Sequence, residues 1–228
     1  DAGSTMEIVG TVSLTRIRVR IQSSGALMLE GGSLVRDPTD ADGVFSSLTV
    51  STGATLTASL HSSGSGQSVS ALALPFHVAG VATVETDAEL AVMRGGSCTG
   101  ACTMSVALGA VMSFSRDADY SVEQATYIID DGASRFSGQG RVVVWSKAVV
   151  YSALTIAAQP AFSIAGGTVV CNGTATIASM TVHSTGVLDL RGDASITTSL
   201  TVNDSASARV SEATALVTVG SGASLLLS

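Results

Sequence analysis

Short apolar–polar alternations recur along the chain, with turn residues between them. Typical examples are Leu48-Thr-Val50 followed by Gly53-Ala-Thr-Leu56, and Met180-Thr-Val182 followed by Leu188-Asp-Leu190. A period of two places the apolar side chains on one face of a β-strand. Because similar phrases return many times, the sequence predicts an internal repeat of short strands, and such repeats are typical of solenoids.

The spacing of the repeat favours one kind of solenoid. The second apolar residue of each phrase serves as a marker, and successive markers lie 17 to 34 residues apart: Val19, Val50, Val84, Val106, Ile129, Ile156, Val182, Val202 and Val219. Gaps of about 20 to 27 residues accommodate three short strands and their turns, whereas a left-handed solenoid follows a six-residue grid. The sequence therefore predicts an all-β, right-handed parallel β-helix of about eight or nine irregular coils, forming a single domain over residues 1–228.

The longer gaps predict insertions near residues 31–47, 61–70 and 117–127. The last of these stretches predicts either one helical turn or an irregular loop. Inserted loops on a solenoid often share one face, which is then the binding face.

Tandem β-sandwich domains are the alternative fold, since they also contain short alternating strands. Sandwiches usually bury larger aromatic residues and have a linker between domains. This chain has 4% aromatic residues, one Trp, three Pro and no such linker, so the solenoid is the preferred prediction.

The composition of the chain argues against some classes of binding partner. The net charge is −7 and the basic residues are scattered, which argues against nucleic acid. No apolar run approaches the roughly 18 residues that span a bilayer. Only 13% of residues are charged, so the surface must be rich in Ser, Thr and Gly. Such a surface is typical of secreted coat or adhesion proteins, and we expect an extracellular or cell-surface location.

Two short motifs predict covalent modification. Cys98 and Cys102 are close enough in sequence to form a disulfide across a Gly-rich turn, and two free thiols are the alternative. Cys171 is predicted to be a core residue. Asn172-Gly-Thr174 and Asn203-Asp-Ser205 match the N-glycosylation pattern and each follows a predicted strand. In a eukaryotic protein we expect Asn172 or Asn203 to be glycosylated, although chance matches remain the alternative in a chain so rich in Ser and Thr.

Two further motifs have weaker chemical meaning. Asp37, Asp40 and Asp42 lie near one Gly and could hold Ca²⁺, but the spacing and closing Glu of a calcium loop are missing, and Asp-rich turns usually cap and solvate the chain. No other cofactor is expected. Arg191-Gly192-Asp193 matches the integrin-binding tripeptide, yet its Gly occupies a recurrent turn position, so an ordinary turn is the simpler interpretation.

Catalysis is not expected from the distribution of acids. A polysaccharide-cleaving β-helix needs two or three carboxylates projecting together from neighbouring coils. Here outward strand positions are mostly Thr, Ser and Ala, and the best strand-adjacent acids are Glu30, Asp189 and Glu85, without neighbours in register. The sequence therefore predicts a protein that is not an enzyme.

The phrases Met180-Thr-Val182…Gly186-Val-Leu188-Asp-Leu190 and Leu48-Thr-Val50…Gly53-Ala-Thr-Leu56 resemble the coils of large β-helical surface proteins. These include autotransporter passengers, filamentous adhesins and giant repeat surface proteins of unicellular eukaryotes. The resemblance implies an extracellular structural or adhesive rod, as a stalk, coat or filament, and carries over no functional residue. A carbohydrate-binding or polysaccharide-cleaving β-helix is the alternative function.

The two ends of the repeat predict what the chain associates with. The last phrase, Gly222-Ala-Ser-Leu225-Leu-Leu-Ser228, is apolar, and no polar cap is visible at either end. We expect a segment of a longer protein or filament, through continuation of the same chain or end-to-end self-association. Glycans or other surface proteins are further expected partners.

Overall fold

The fold is an all-β arrangement of parallel sheets. The computed structural model describes residues 3–14, 17–36, 46–60, 69–100, 102–115, 125–129, 135–145, 148–152, 155–156, 160–203, 205–211, 216–222 and 224–227. These residues form 27 strands and no helix, and every described pairing of two strands is parallel. The all-β prediction is confirmed, and the described strands do not have the antiparallel pairing of tandem sandwiches.

The chain passes through three sheets in a repeating order, and each pass is called a coil below. The first coil comprises β1 (Thr5–Ile8) in sheet A, β2 (Thr11–Leu14) in sheet B and β3 (Arg18–Ile21) in sheet C. The next five coils follow the same order, with strands β4 (Ala26–Glu30), β5 (Ser33–Arg36), β6 (Ser47–Val50), β7 (Thr55–Ser59), β8 (Val69–Ala73), β9 (Phe76–Val78), β10 (Val81–Val84), β11 (Glu89–Val92), β12 (Gly96–Cys98), β13 (Thr103–Val106), β14 (Val111–Phe114), β15 (Ala125–Ile129), β16 (Arg135–Gly138), β17 (Arg141–Trp145) and β18 (Ala148–Ser152).

The strands of the last coils belong only to sheets B and C. These coils contain β19 (Thr155–Ile156), β20 (Ala161–Ala165), β21 (Thr168–Cys171), β22 (Ala175–His183), β23 (Val187–Leu190), β24 (Ala194–Val202), β25 (Ser207–Val210), β26 (Val217–Val219) and β27 (Ser224–Leu227). Strand β22 pairs with β19 through its first half and with β20 through its second half. The spacing predicted three short strands in each coil, which is wrong for this part of the chain, because β24 is continuous from Ala194 to Val202. Thr197 and Thr198, in the middle of β24, are β-branched and favour extended backbone. A register shift in the β22–β24 pairing takes the place of a turn at this position.

The strand register corrects the repeat markers. Val84 and Val106 lie in sheet A, Val182 and Val202 in sheet B, and Ile129 in sheet C, so the marker spacings mixed different positions of the coil. Paired residues show the true coil length, which varies from 18 residues between Phe162 and Met180 to 38 between Ser33 and Ala71. The described strands make nine coils and, with β26 and β27, begin a tenth, close to the predicted eight or nine.

The core consists of inward-facing rows of side chains that run from coil to coil. In sheet A one row is Met6, Leu27, Leu56, Ala82, Met104 and Phe136, which pair in succession. Fully burying one such leucine contributes about 1.5–3 kcal/mol. The middle of the core also contains aromatic rings: the ring of Phe114 lies 4.8 Å from that of Tyr127 and 6.3 Å from that of Phe136, and the ring of Phe136 lies 5.7 Å from that of Phe162.

The predicted insertions are shorter than expected. Residues 33–36, 69–70 and 125–127 belong to β5, β8 and β15, because their apolar–polar alternation continues into the expected loops. Residues 37–45, 61–68 and 116–124 lie outside the described residues, and with them the calcium candidates Asp37, Asp40 and Asp42 and the possible helical turn. In chain order, 37–45 joins a strand of sheet B to one of sheet C, whereas 61–68 joins sheet A to sheet B. The two stretches therefore connect different pairs of sheets.

Candidate functional site

The first coil exposes core-type side chains. Met6 pairs with Leu27 and so begins an inward row of sheet A, yet it is 52% exposed. Ile17, just before β3, is 49% exposed. By contrast, Leu27 and Leu29 one coil further on are fully buried. The row that begins at Met6 is therefore uncovered in the first coil, whereas Ile8 and Leu14 of the same coil are buried.

The last coils show the same feature. Val210 pairs with the buried Leu190, and Val219 pairs with the buried Ile196, but both valines are largely exposed. Leu216, which precedes β26, is 64% exposed. We call Met6 and Ile17 the first end face, and Val210, Leu216 and Val219 the second end face.

The backbone at the two end faces is also unpaired on one side. Among the described strands, β1, β2 and β3 each pair with a single neighbour, as do β25, β26 and β27. Edges of this kind present N–H and C=O groups that another strand can bind. Backbone and side chains at both end faces are thus suited to receive a further coil.

The outer face of sheet A is rich in hydroxyl groups. One outward row consists of Thr57, Thr83, Ser105 and Ser137, which pair in succession across four coils. A similar row of Thr176, Ser195 and Thr218 follows in sheet B of the later coils. Most of these residues are half-buried, as expected for small side chains on a sheet surface. This agrees with the hydroxyl-rich outer positions that the sequence indicates.

Asp189 lies on the outer face of sheet C but is buried. Its Oδ2 accepts hydrogen bonds from Arg191 Nε and from an Arg209 Nη, both at 3.1 Å, and its Oδ1 accepts one from the Ser211 hydroxyl. Burial by itself would raise the pKa of Asp189, but the hydrogen bonds from Arg209, Ser211 and Arg191 outweigh it and lower the pKa to about 2. The carboxylate ties β23 to β25 and to the turn that follows β23.

That turn contains the tripeptide Arg191-Gly192-Asp193. The Arg191 guanidinium is held by Asp189, and Asp193 Oδ1 accepts a hydrogen bond of 2.9 Å from the backbone N–H of Leu216. A Cβ on Gly192 would come within 2.5 Å of the backbone oxygen of Gly173 in the preceding coil. Both charged residues of the tripeptide are therefore engaged within the chain, and its glycine permits close stacking of two turns.

The two predicted glycosylation sequences differ in exposure. Asn172, Gly173 and Thr174 form an exposed turn between β21 and β22. Asn203 is half-buried after β24; its N–H donates to Val182 O at 2.8 Å, and its carbonyl accepts from Ala206 N–H at 3.1 Å.

The cysteines have structural positions. Cys98 and Cys102 are joined in a disulfide, as the sequence predicted, with their Cα atoms 5.7 Å apart. The bond closes the turn between β12 and β13, and both residues are buried. Cys171 is a buried free thiol in β21, and burial together with the negative charge of Asp189 raises its pKa to about 12. A thiol with such a pKa is almost entirely protonated at neutral pH.

The acids singled out from the sequence lie apart in the fold. Glu30 ends β4 in sheet A, Glu85 is exposed after β10, and Asp189 belongs to sheet C. Sequence reasoning missed the buried Glu89 in β11, whose carboxylate accepts a hydrogen bond of 3.1 Å from the Ser113 hydroxyl. Its strand, Glu89-Leu-Ala-Val92, has an apolar context in which a single acid could have been noticed. Within the described ranges, no group of three His, Cys, Asp or Glu side chains is arranged to hold a metal ion.

Tyr127 also escaped the sequence analysis. Its hydroxyl donates a 2.6 Å hydrogen bond to Val92 O and lies 3.2 Å from the Ser115 hydroxyl, and burial raises its pKa. The hydrogen bond satisfies the polar tip of an aromatic residue inside the core. Tyr127 therefore joins the fifth coil to the fourth.

An open groove lies beside the first coils. It has a volume of about 480 Å³, and Arg20, Gln22, Thr49 and Ser51 contribute to its lining. Arg20 Nε donates a 3.1 Å hydrogen bond to Ser51 Oγ across two coils. The groove offers one positive charge together with hydroxyl and amide groups.

Comparison with protein-family models, with curated proteins and with solved structures gives no match for this chain. In the part of the chain that the structure describes, no helix has the length and apolar character needed to cross a membrane.

Proposed function

We propose that the chain is a segment of an extracellular structural or adhesive rod, built as a right-handed parallel β-helix and extended at both end faces. The observation that carries this proposal is the exposure of inward-row side chains at both ends, at Met6 and at Val210 and Val219. In the interior of the fold the same rows are covered by the next coil. A further coil, from the same polypeptide or from a second molecule, would cover them in the same way.

The outer surface supports a structural role. Hydroxyl-bearing rows on sheets A and B present many similar groups and few charges, which suits a stalk, coat or filament. The acids Glu30, Glu85 and Asp189 lie in separate places, and Asp189 is fully engaged with Arg191, Arg209 and Ser211. The buried Cys98–Cys102 disulfide fits an oxidising, extracellular location. We therefore propose a role that does not involve catalysis.

End-to-end association of the purified chain tests the proposal. Light scattering across a concentration series, with electron microscopy of the same samples, should show rods of constant width whose length grows in steps. Leu216→Asp, on the second end face, should abolish the growth because it places a charge in an apolar interface. Leu108→Asp is the matched control, since Leu108 is equally exposed at 64% but lies in a middle coil.

Three results would contradict end-to-end association. One is a folded protein that stays monomeric at every concentration. The second is growth that survives Leu216→Asp, and the third is growth that Leu108→Asp abolishes as effectively.

A second candidate function, carbohydrate binding, is supported by the groove at Arg20. One cation among hydroxyl and amide groups suits an acidic glycan. Titration with an acidic oligosaccharide should detect binding that Arg20→Ala abolishes. Arg141→Ala, which removes an exposed arginine on sheet B, should leave binding unchanged; equal binding by both variants would exclude the groove as the site.

A further inference from the structure

The turn at residues 172–174 has room for a large modification. All three of its residues are exposed, and it projects between β21 and β22 at a corner of the coil. The neighbouring strand residues Cys171 and Ala175 are buried and hold the turn at both ends. A sugar on Asn172 would therefore extend into solvent without displacing a packed side chain.

The turn at Asn203 is different. The side chain is half-buried, and the backbone N–H and C=O are both used, one with Val182 of the preceding coil and one with Ala206 of the same turn. A sugar on Asn203 would have to lie against the preceding coil or pull the asparagine out of its position. Because each coil packs on the one before it, that displacement would cost stacking energy.

We propose that Asn172 carries an N-linked oligosaccharide and that Asn203 does not. The inference rests on the proposed extracellular location and on a eukaryotic source, because the donor is a lipid diphosphate-linked oligosaccharide of the eukaryotic secretory pathway. A bond forms between Asn172 Nδ2 and C1 of the first sugar, and the bond from C1 to the diphosphate oxygen breaks. The lipid diphosphate leaves, and the amide loses one proton to a base.

The position of this sugar has a consequence for the adjacent turn. The backbone N–H of Arg191 donates a 2.9 Å hydrogen bond to Cys171 O, which places Arg191-Gly192-Asp193 directly beside Asn172 in the next coil. Gly192 packs against the backbone of Gly173. An oligosaccharide on Asn172 would therefore shield the tripeptide from a protein partner.

Mass spectrometry of protein secreted from a eukaryotic host tests the assignment. Enzymatic removal of N-linked sugars converts a modified asparagine to aspartate, so peptide mapping should find aspartate at position 172 and asparagine at 203. Thr174→Val removes the acceptor sequence at an exposed position while keeping a side chain of similar shape, and it should abolish all N-linked mass. Ser205→Ala removes the other sequence and should leave that mass unchanged.

Any of three results would overturn the assignment: unmodified secreted protein, sugar at Asn203, or sugar mass that persists in Thr174→Val. Thermal unfolding of each variant shows whether the fold is intact, and Asn172→Gln provides a second variant if Thr174→Val is poorly secreted. Light scattering on the same samples reports end-to-end association independently. Failure of the rod proposal and failure of the sugar assignment are therefore distinguishable.

Discussion

Asp189→Asn should destabilise the last coils at neutral pH. The difference between an ordinary aspartate pKa of 3.8 and about 2 in the folded protein corresponds to about 2 kcal/mol of stabilisation. The side chains of Arg191 and Arg209 are 46% and 60% exposed, so solvent screens part of this energy. We therefore expect a loss of about 1–2 kcal/mol.

The direction of the pKa shift determines how the stabilisation by Asp189 depends on pH. Because the folded-state pKa lies below the unfolded one, the stabilisation is complete well above pH 3.8 and is lost as pH falls through about 2. The native protein and Asp189→Asn should therefore differ at pH 7 and nearly converge at pH 2. Glu85→Gln, which neutralises an exposed acid, is the control and should have little effect on stability at pH 7.

Amide hydrogen exchange is the appropriate assay, because solenoid coils can open locally without global unfolding. The protected amides of β23 and β25 should exchange faster in Asp189→Asn, by a factor of about 5 to 30 for 1–2 kcal/mol. Amides of the early coils, such as those of β4, should be unaffected. Unchanged exchange in β23 at pH 7, or a difference that persists in full at pH 2, would refute the reasoning.

Three further predictions concern the turns and the cysteines. Gly192→Ala should lower the unfolding free energy by about 1–3 kcal/mol in urea titration, because its Cβ would meet backbone at 2.5 Å, whereas Gly10→Ala, with nothing within 4 Å, should be nearly neutral; equal effects would contradict the close-packed turn. Replacing Cys98 and Cys102 together by Ala should cost about 2 kcal/mol, the entropy of a short cross-linked loop, and should make thermal unfolding insensitive to reductant; a reductant-sensitive melting temperature in the double variant would argue against it. Cys171 should resist alkylation at neutral pH in the folded protein and react in urea, since its pKa is raised to about 12; rapid labelling without denaturant would show that the thiol is accessible.

The sequence predicted the strand content and the approximate number of coils because alternation is a local property. Leu188 and Leu190, for example, are buried, and Thr201 between Leu200 and Val202 lies on the opposite face, as the period of two requires. The disulfide followed from a separation of four residues across a glycine turn. These features depend on neighbours in the chain.

Features that depend on the neighbouring coil were not predictable in the same way. The markers Val106 and Val182 look equivalent in sequence but lie in different sheets, because pairing register decides which strand faces which. Strand β24 is continuous because of its pairing with β22. Between the two paired segments, β22 has one residue where β24 has two. Asp189 looked like a solvated surface acid because its partners Arg209 and Ser211 come from the next coil.

The repetition of the core limits the places where specific binding or modification can arise. Inward rows contain similar aliphatic residues in most coils, so the interior offers the same chemistry along most of its length. Distinct chemistry is found at the two end faces and at the corner where the turns 172–174 and 191–193 stack. The end faces can select a partner by matching rows and backbone register, as each coil does with the next. We expect a sugar at the corner to leave that match undisturbed, because Asn172 is exposed while Cys171 and Ala175 beside it are buried. We therefore expect the proposed assembly and the proposed modification to be independent, so that a change at Thr174 leaves end-to-end growth unaltered and a change at Leu216 leaves the modification intact.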